Sequence, residues 1–311
     1  MEKDLALNQF RKVFDYCKTH CKHLERWPSY YHRRYLEFIS YYEIFPEKKV
    51  GRVLELGCGI GYQSALLAAI ADEVVATDLP EEDSAAHAPG MKVAEDLHKS
   101  LNISNVRLVA CSAEELPFPD NSFDMVYSSH VLEHIPDQEK ALKEISRVLK
   151  NNGLHFCVVP TRAEKVYAFF NFYLYLIQRT IAAVFKRIKA GGRNQIAQSN
   201  GNPEQGNKAA PSALRDFPFP PPHGAYPHYR TELKLWRPSL WLKKLLSVPG
   251  MNKILFCTTQ FNPLLSILGA ILPTWGTKVH AVTRSLEVKW GKLAFFRSVG
   301  LNTVMILRKV K

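Results

Sequence analysis

Glu55-Leu56-Gly57-Cys58-Gly59-Ile60-Gly61 sets three glycines at alternate positions behind one carboxylate. Glycine lets a backbone turn and approach a ligand closely, and a helix that starts just after it offers free N–H groups. The spacing is not that of a dinucleotide fingerprint, because G-x-G-x-x-G needs glycine at 62, where Tyr62 stands. A carboxylate inside the turn repels a pyrophosphate and suits a ligand that carries an ammonium group. Asp78 follows Gly57 by 21 positions, where a carboxylate can accept both hydroxyls of a ribose. A structural glycine turn with two solvated acids accounts for the same residues, so this motif alone does not decide.

Other reactive side chains carry less. Cys17, His20, Cys21 and His23 put two thiols and two imidazoles in seven residues. On a helix His23 leaves the face that the other three share, and structural zinc usually draws its ligands from two segments, so no metal is expected. Cys58 needs only to be small within its turn, and thiolate catalysis is not expected there.

The elements that must position these residues alternate in type. Arg52–Leu56 is a short apolar strand, followed by the glycine turn and a helix over Tyr62–Ala71. Glu73–Thr77 is a strand ending at Asp78, Met91–Ser100 a helix, and Val106–Ala110 and Phe123–Ser128 two further strands. Gln138–Leu149 is a helix that the glycine of Asn152-Gly153 should close, and Leu154–Val159 a fifth strand. Buried strands alternating with helices predict a parallel, doubly wound sheet. Leu233–Leu246 reads as a helix, and Lys253–Thr258 and Asn302–Lys309 as two last strands.

Five stretches in order resemble the class I S-adenosylmethionine-dependent methyltransferases, particularly the type 11 subgroup that includes quinone C-methyltransferases and many small-molecule O-methyltransferases. They are Val53–Gly61, Val75–Asp78, Ser112–Phe118, Ser122–Val126 and Val131–Asp137, and Asn152-Gly153-Leu154 follows them. The resemblance covers about residues 45–160 and implies a Rossmann-like seven-stranded α/β sheet, with helical insertions after strands five and six. It also implies S-adenosylmethionine as cofactor. On that basis Glu55 and the loop Gly57, Cys58, Gly59 and Gly61 hold the methionine moiety, and Asp78, with Leu79 beside it, holds the ribose. Ala113 and Glu114 line the adenine, Ser112 stands where the family usually has Asp, and Ser129 and His130 face the methionine end. Leu132 and Ile135 are expected in the core. Because the sulfonium already activates the methyl group, the protein's task is alignment, and a base is needed only if the acceptor must lose a proton. His130 and His134 are the nearest candidates for that base. His223 and His228 are candidates for substrate contact from the segment beyond Pro222.

The net charge of +12 is unevenly spread, with +3 in 1–50, −9 in 51–160 and +18 in 161–311. The basic part calls for an anionic partner. The fourth strand ends in Ser128-Ser129-His130 rather than in the Asn/Asp-Pro-Pro-aromatic signature of base-amine methyltransferases, which argues against nucleic acid. Val166, Phe169, Phe170, Tyr173, Ile177, Ile181, Val184 and Ile188 recur on one helix face, and Leu264–Leu272 is a second apolar segment. Both fit interfacial helices or a substrate cap, and neither is long and uninterrupted enough to span a bilayer. The division expected is a helical cap at 1–48, a cofactor-binding core at 49–160, an insertion with a flexible linker at 161–252, and the last two strands with their insertion at 253–311. No apolar leader opens residues 1–20, so the expected location is the cytoplasm, peripheral on the inner membrane face. The expected acceptor is a small or amphiphilic molecule, lipid-linked or quinone-type, methylated on O or C. A nucleic-acid methyltransferase and a non-catalytic cofactor-binding regulator are the competing readings.

Overall fold

The structure is a computed structural model that describes residues 9, 12–13, 15–16, 19–20, 49–80, 90–190, 219, 224–259, 289–293, 295 and 300–310. Seven strands form one sheet: β1 (Val50–Leu56), β2 (Ala71–Asp78), β3 (Val106–Ala110), β4 (Phe123–Ser129), β5 (Leu149–Pro160), β6 (Met251–Thr259) and β7 (Asn302–Lys309). Their order is β3-β2-β1-β4-β5-β7-β6. The first five pair in parallel, and β7 runs antiparallel between β5 and β6. In β4 all but one residue are buried, as a strand covered on both faces requires.

Alternation along the strands sends side chains into two cores. Val53, Val74, Tyr127, Phe156 and Val304 pack on one side with Ala65 and Leu66 of α1 (Tyr62–Leu67) and Leu97 of α2 (Gly90–Ser100). Val13, from the helical residues near the N-terminus, joins them. Leu54, Leu56, Val75, Val126 and Met305 pack on the other side with Leu142 and Ile145 of α3 (Gln138–Val148), and Leu132 and Ile135 lie there as expected.

Three boundaries differ from the sequence reading. α1 stops at Leu67, because Ala69 and Ile70 donate to the carbonyls three residues back and the chain enters β2 at Ala71. α3 is not closed by Gly153. Leu149 is fully buried and pairs with Phe123, so the chain is extended from there and the turn at Asn152 (φ 65°) and Gly153 lies inside β5. The span 233–246 is two helices, α5 (Tyr229–Leu235) and α6 (Pro238–Leu246). Pro238 opens α6 and forces Arg237 into an extended conformation, while Trp236 is buried at the break.

α4 (Arg162–Ala190) leaves β5 as one 29-residue helix, and no described helix is long and apolar enough to cross a membrane. The second apolar segment, Leu264–Leu272, lies outside the described residues, as do 191–218 of the linker. Asn302 of β7 is paired with both Pro160 and Thr259, so the chain leaves β5 and β6 at the same edge of the sheet.

Candidate functional site

β1 pairs with β2 on one side and β4 on the other, so the direction of winding reverses between β1 and β4. In open α/β sheets that reversal opens a crevice at the carboxyl ends of the strands. The glycine loop sits there. Gly57, Gly59 and Gly61 have φ of 67°, 52° and 74°. A Cβ on Gly57 would lie 2.5 Å from Val131 Cγ2, and one on Gly61 would lie 2.8 Å from the Ala94 Cα. A Cβ on Gly59 meets nothing within 4 Å. The outer glycines are therefore required by packing, and the middle one borders open space.

That space is a cavity of about 150 Å³, lined by the loop Gly57–Ile60, by Tyr62 and Gln63 of α1, and by Ser129 and His130 after β4. The Asp78 carboxylate holds the loop, accepting from Gly59 N–H at 2.6 Å and from Leu79 N–H at 2.8 Å. Cys58 is buried, and burial first, with the neighbouring Glu55 and Asp78 carboxyls opposing a second negative charge, raises its thiol well above the usual range, so it stays protonated.

Glu55 is 1% exposed, and its Oε2 has no hydrogen-bond partner among the described residues. Burial pushes the carboxyl up to about 8. The Ser64 hydroxyl pulls it down, and the Asp78 charge adds to the rise. A buried acid in this state is neutral at pH 7 until a cation reaches it. An open glycine and an orphaned carboxyl oxygen fit a ligand that brings an ammonium group to the loop.

Past β3, Ser112 Oγ accepts from the Glu114 N–H at 3.1 Å, and Glu114 Oε1 accepts from the Asp137 N–H at 2.8 Å. Asp137 in turn caps α3 through the Lys140 N–H, so the segment carrying Ala113 is pinned to that helix start. Past β4, Gln63 Nε2 donates to Ser129 Oγ at 3.4 Å. His130 takes a left-handed backbone (φ 56°), a conformation non-glycine residues hold only when their surroundings impose it. Its N–H donates to Val158 O at 3.0 Å, and its Nδ1 lies 3.4 Å from Glu133 Oε1.

The other histidines part company with this group. His134 is exposed on the 3₁₀ turn Leu132–His134 and does not line the cavity. His228 is exposed at the start of α5, where its carbonyl accepts from the Thr231 N–H, and it does not line the cavity either. Its position follows from its neighbour Tyr229, which is drawn into the core and leaves His228 outside. His223 lies outside the described residues. Of Cys17, His20, Cys21 and His23 only His20 is described, and no metal-binding group was found among the described residues. The sequence reading passed over Tyr62, Gln63 and Glu133. The first turn after a glycine loop was the available signal for two of them, and an acid three residues after His130 for the third.

A parallel sheet that reverses at an alternate-glycine loop, faced by an acid ending β2, defines the nucleotide-binding fold of class I methyltransferases. Residues 54–157 match a methyltransferase domain family. That stretch belongs to the class I S-adenosylmethionine-dependent methyltransferases, and the cofactor of the family is S-adenosylmethionine. A probable S-adenosylmethionine-dependent methyltransferase of Mycobacterium tuberculosis is 33% identical over 134 residues, 43% of this chain and 44% of that protein. The demethylmenaquinone methyltransferase of Geobacillus kaustophilus is 34% identical over 146 residues, 46% of this chain and 58% of that one. The YcgJ protein of Bacillus subtilis superposes loosely, with a TM-score of 0.44 and 18% identity over 90% of this chain and 99% of that one. The chain thus spans about half the length of the curated relatives it matches.

Proposed function

We propose that the protein transfers a methyl group from S-adenosylmethionine to a small-molecule acceptor. The observation that carries this reading is the cavity at the sheet reversal, with Gly59 open toward it and the buried Glu55 carboxyl two residues before the loop, whose Oε2 has no hydrogen-bond partner among the described residues. The cofactor supplies an electrophilic methyl group on a positively charged sulfur. Glu55 compensates the ammonium group, Gly57, Cys58, Gly59 and Gly61 let the backbone approach, and Asp78, with Leu79, receives the ribose. Ser112, Ala113 and Glu114 border the adenine. Ser129 and His130 stand at the reacting end, where they orient the acceptor. Isothermal titration with S-adenosylmethionine is the direct check, and a folded protein that shows no binding overturns the proposal. A labelled-methyl assay then separates an enzyme from a cofactor-binding regulator.

The finer reading is an amphiphilic, quinone-type or lipid-linked acceptor taken from the cytoplasmic face of a membrane. Several relatives, such as that of Geobacillus kaustophilus, are demethylmenaquinone methyltransferases. In α4, Val166, Phe170, Ile177, Ile181 and Val184 form an exposed apolar stripe. Lys186, Arg187 and Lys189 follow the stripe in sequence, within the region of +18 charge. Aromatic and apolar side chains beside basic ones suit a helix lying in an anionic interface, where each Lys or Arg contributes about 1 kcal/mol. Flotation with anionic vesicles should carry the protein upward, and polar replacements at Phe170, Ile177 and Ile181 should release it. A protein that stays in solution with such vesicles at low salt points to a soluble acceptor.

A further inference from the structure

Glu55 follows Val53 by two positions along β1, so its side chain lies on the face of the sheet that α1 and α2 cover. Two polar side chains of those helices are buried behind it. Ser64 of α1 is 0% exposed and His98 of α2 is 5% exposed. The Ser64 hydroxyl is hydrogen-bonded to the Glu55 carboxyl. It also lies 3.0 Å from Gly61 O and 3.2 Å from His98 Nε2. His98 Nε2 is itself 3.1 Å from Gly61 O. Three side chains and one loop carbonyl thus form a polar chain from Glu55 to α2.

Donors and lone pairs order this chain. Gly61 O has two lone pairs, yet three groups are placed to donate to it: the Ala65 N–H at 3.1 Å, His98 Nε2 and the Ser64 hydroxyl. The helical N–H of Ala65 cannot turn away, so one of the other two is surplus. The Ser64 hydroxyl rotates about its own bond, and Glu55 is an acceptor within its reach. A carbonyl cannot donate, so His98 fills the second lone pair only when its neutral ring carries the proton on Nε2.

We propose that His98 is a positioning residue for Glu55: its Nε2–H occupies the Gly61 carbonyl and so releases the Ser64 hydroxyl to the carboxylate that meets the ligand's ammonium group. Only the identity of that ligand rests on the methyl-transfer reading. While Glu55 holds its proton, it donates to Ser64 Oγ, and the hydroxyl hydrogen points at Gly61 O. When an ammonium group arrives, Glu55 gives its proton to solvent and Ser64 turns its hydrogen onto the carboxylate. His98 then keeps the Gly61 carbonyl satisfied beside Ala65.

The neighbouring groups make that hydroxyl matter. Burial and the Asp78 charge of β2 both oppose ionisation of Glu55, and the Ser64 hydroxyl favours it. The Cys58 thiol stays protonated and adds no charge. Burial lowers the His98 imidazole below its ordinary value, against the pull of the Gly61 carbonyl, so the ring is neutral at pH 7.

The test uses the ligand-free full chain. NMR of ¹⁵N-labelled histidine reads which ring nitrogen of His98 carries the proton, with His98→Gln assigning the signals. Labelling of glutamate carboxyls with ¹³C reads the titration of Glu55, assigned with Glu55→Gln. The neutral His98 ring should carry its proton on Nε2. In His98→Leu the Gly61 carbonyl reclaims the Ser64 hydroxyl, and the proton affinity of Glu55 should rise about tenfold. His98→Gln keeps a donor at the same reach and should hold Glu55 within about twofold of wild type. Ser64→Ala should reproduce the rise, and adding His98→Leu to it should raise it no further. A proton on His98 Nδ1 overturns the proposal, and this measurement alone decides if His98→Leu fails to fold. So does a folded His98→Leu in which Glu55 titrates as in wild type, and so do additive rises in the double variant. None of these measurements needs cofactor binding or methyl transfer, so a failure here is distinct from a failure of the proposed activity.

Discussion

The Gly59 N–H donates to Asp78 Oδ2 at 2.6 Å, so the glycine loop after β1 is fastened to the end of β2. The acid assigned to the ribose is thus also the tether of the loop assigned to the methionine moiety. Asp78→Ala removes both contacts and should weaken S-adenosylmethionine binding by about 1–3 kcal/mol. Isothermal titration reads this directly, and a wild-type dissociation constant would mean that the ribose is held elsewhere.

Gly59 and Gly57 should fail in different ways. A side chain on Gly59 projects into open space, so Gly59→Val should abolish cofactor binding while costing the fold only the left-handed backbone penalty of about 1–2 kcal/mol. Gly57→Ala drives a Cβ into Val131 and should be seen first as a lowered Tm. Calorimetry and thermal melts on the two variants separate the effects. Tight cofactor binding by Gly59→Val would place the ligand outside this cavity.

Glu55 ties cofactor binding to pH. Its carboxyl titrates near 8 in the folded chain against an ordinary 4.5, so the folded state holds an extra proton between those values. Stability from this group is complete below pH 4.5 and is lost as pH rises toward 8. A bound ammonium favours the ionised form, so binding should release a proton and affinity should rise between about pH 5.5 and 7.5, by no more than tenfold per unit. Titration in two buffers of different ionisation heat measures that proton, and Glu55→Gln should release none.

His155 acts in the opposite sense. Burial lowers its imidazole from 6.5 to about 3, while its Nε2 meets Ser128 Oγ at 3.1 Å. The unfolded chain then binds the extra proton, so this contribution is present above pH 6.5 and is lost as pH falls toward 3. Urea melts from pH 7 to 4 should show the decline, and His155→Gln should flatten it.

Lys165 and Glu232 form an ion pair at 2.5 Å with side chains 3% and 0% exposed, and the Lys165 Nζ lies 4.3 Å from the Trp236 ring centroid. Lys165→Met leaves a buried carboxylate without its cation and should cost about 3–5 kcal/mol in chemical denaturation. A loss well below 1 kcal/mol would mean that water reaches Glu232 in solution.

What could be read in the sequence follows from which forces act locally. Val106–Ala110 and Asn302–Lys309 were legible as strands to the residue, because short β-branched and apolar runs ended by turn formers carry their own signal. Gly153 misled because the end of α3 is set at a distance, by the burial of Leu149 against Phe123. The break between α5 and α6 was hidden in the same way, behind an apolar period that continues through the buried Trp236. At the site, the structure brings Gly57, Cys58, Gly59, Ser129 and His130, which motif order had named together, to the wall of one cavity. Glu133 lay inside the Val131–Asp137 stretch, where it carried no separate signal. Its carbonyl meets Gly224 and Ala225, which stand some 90 residues further along the chain, and no local pattern announces that contact.

The position of β7 carries a consequence for biosynthesis. Among the described strands β6 pairs only with β7, and β5 finds its second neighbour there too. As the polypeptide leaves the ribosome, β1 to β5 can zip together early, but β5 then presents an open edge until residues 302–309 emerge. During that interval more than 140 residues, including the apolar helix α4, are already outside the tunnel with their sheet unfinished. Such an intermediate is the species most prone to pair with the wrong chain, and the one a holdase would meet first. Loss of β7 would leave β6 without a partner among the described strands, and the glycine loop would sit in a sheet whose far half never closes.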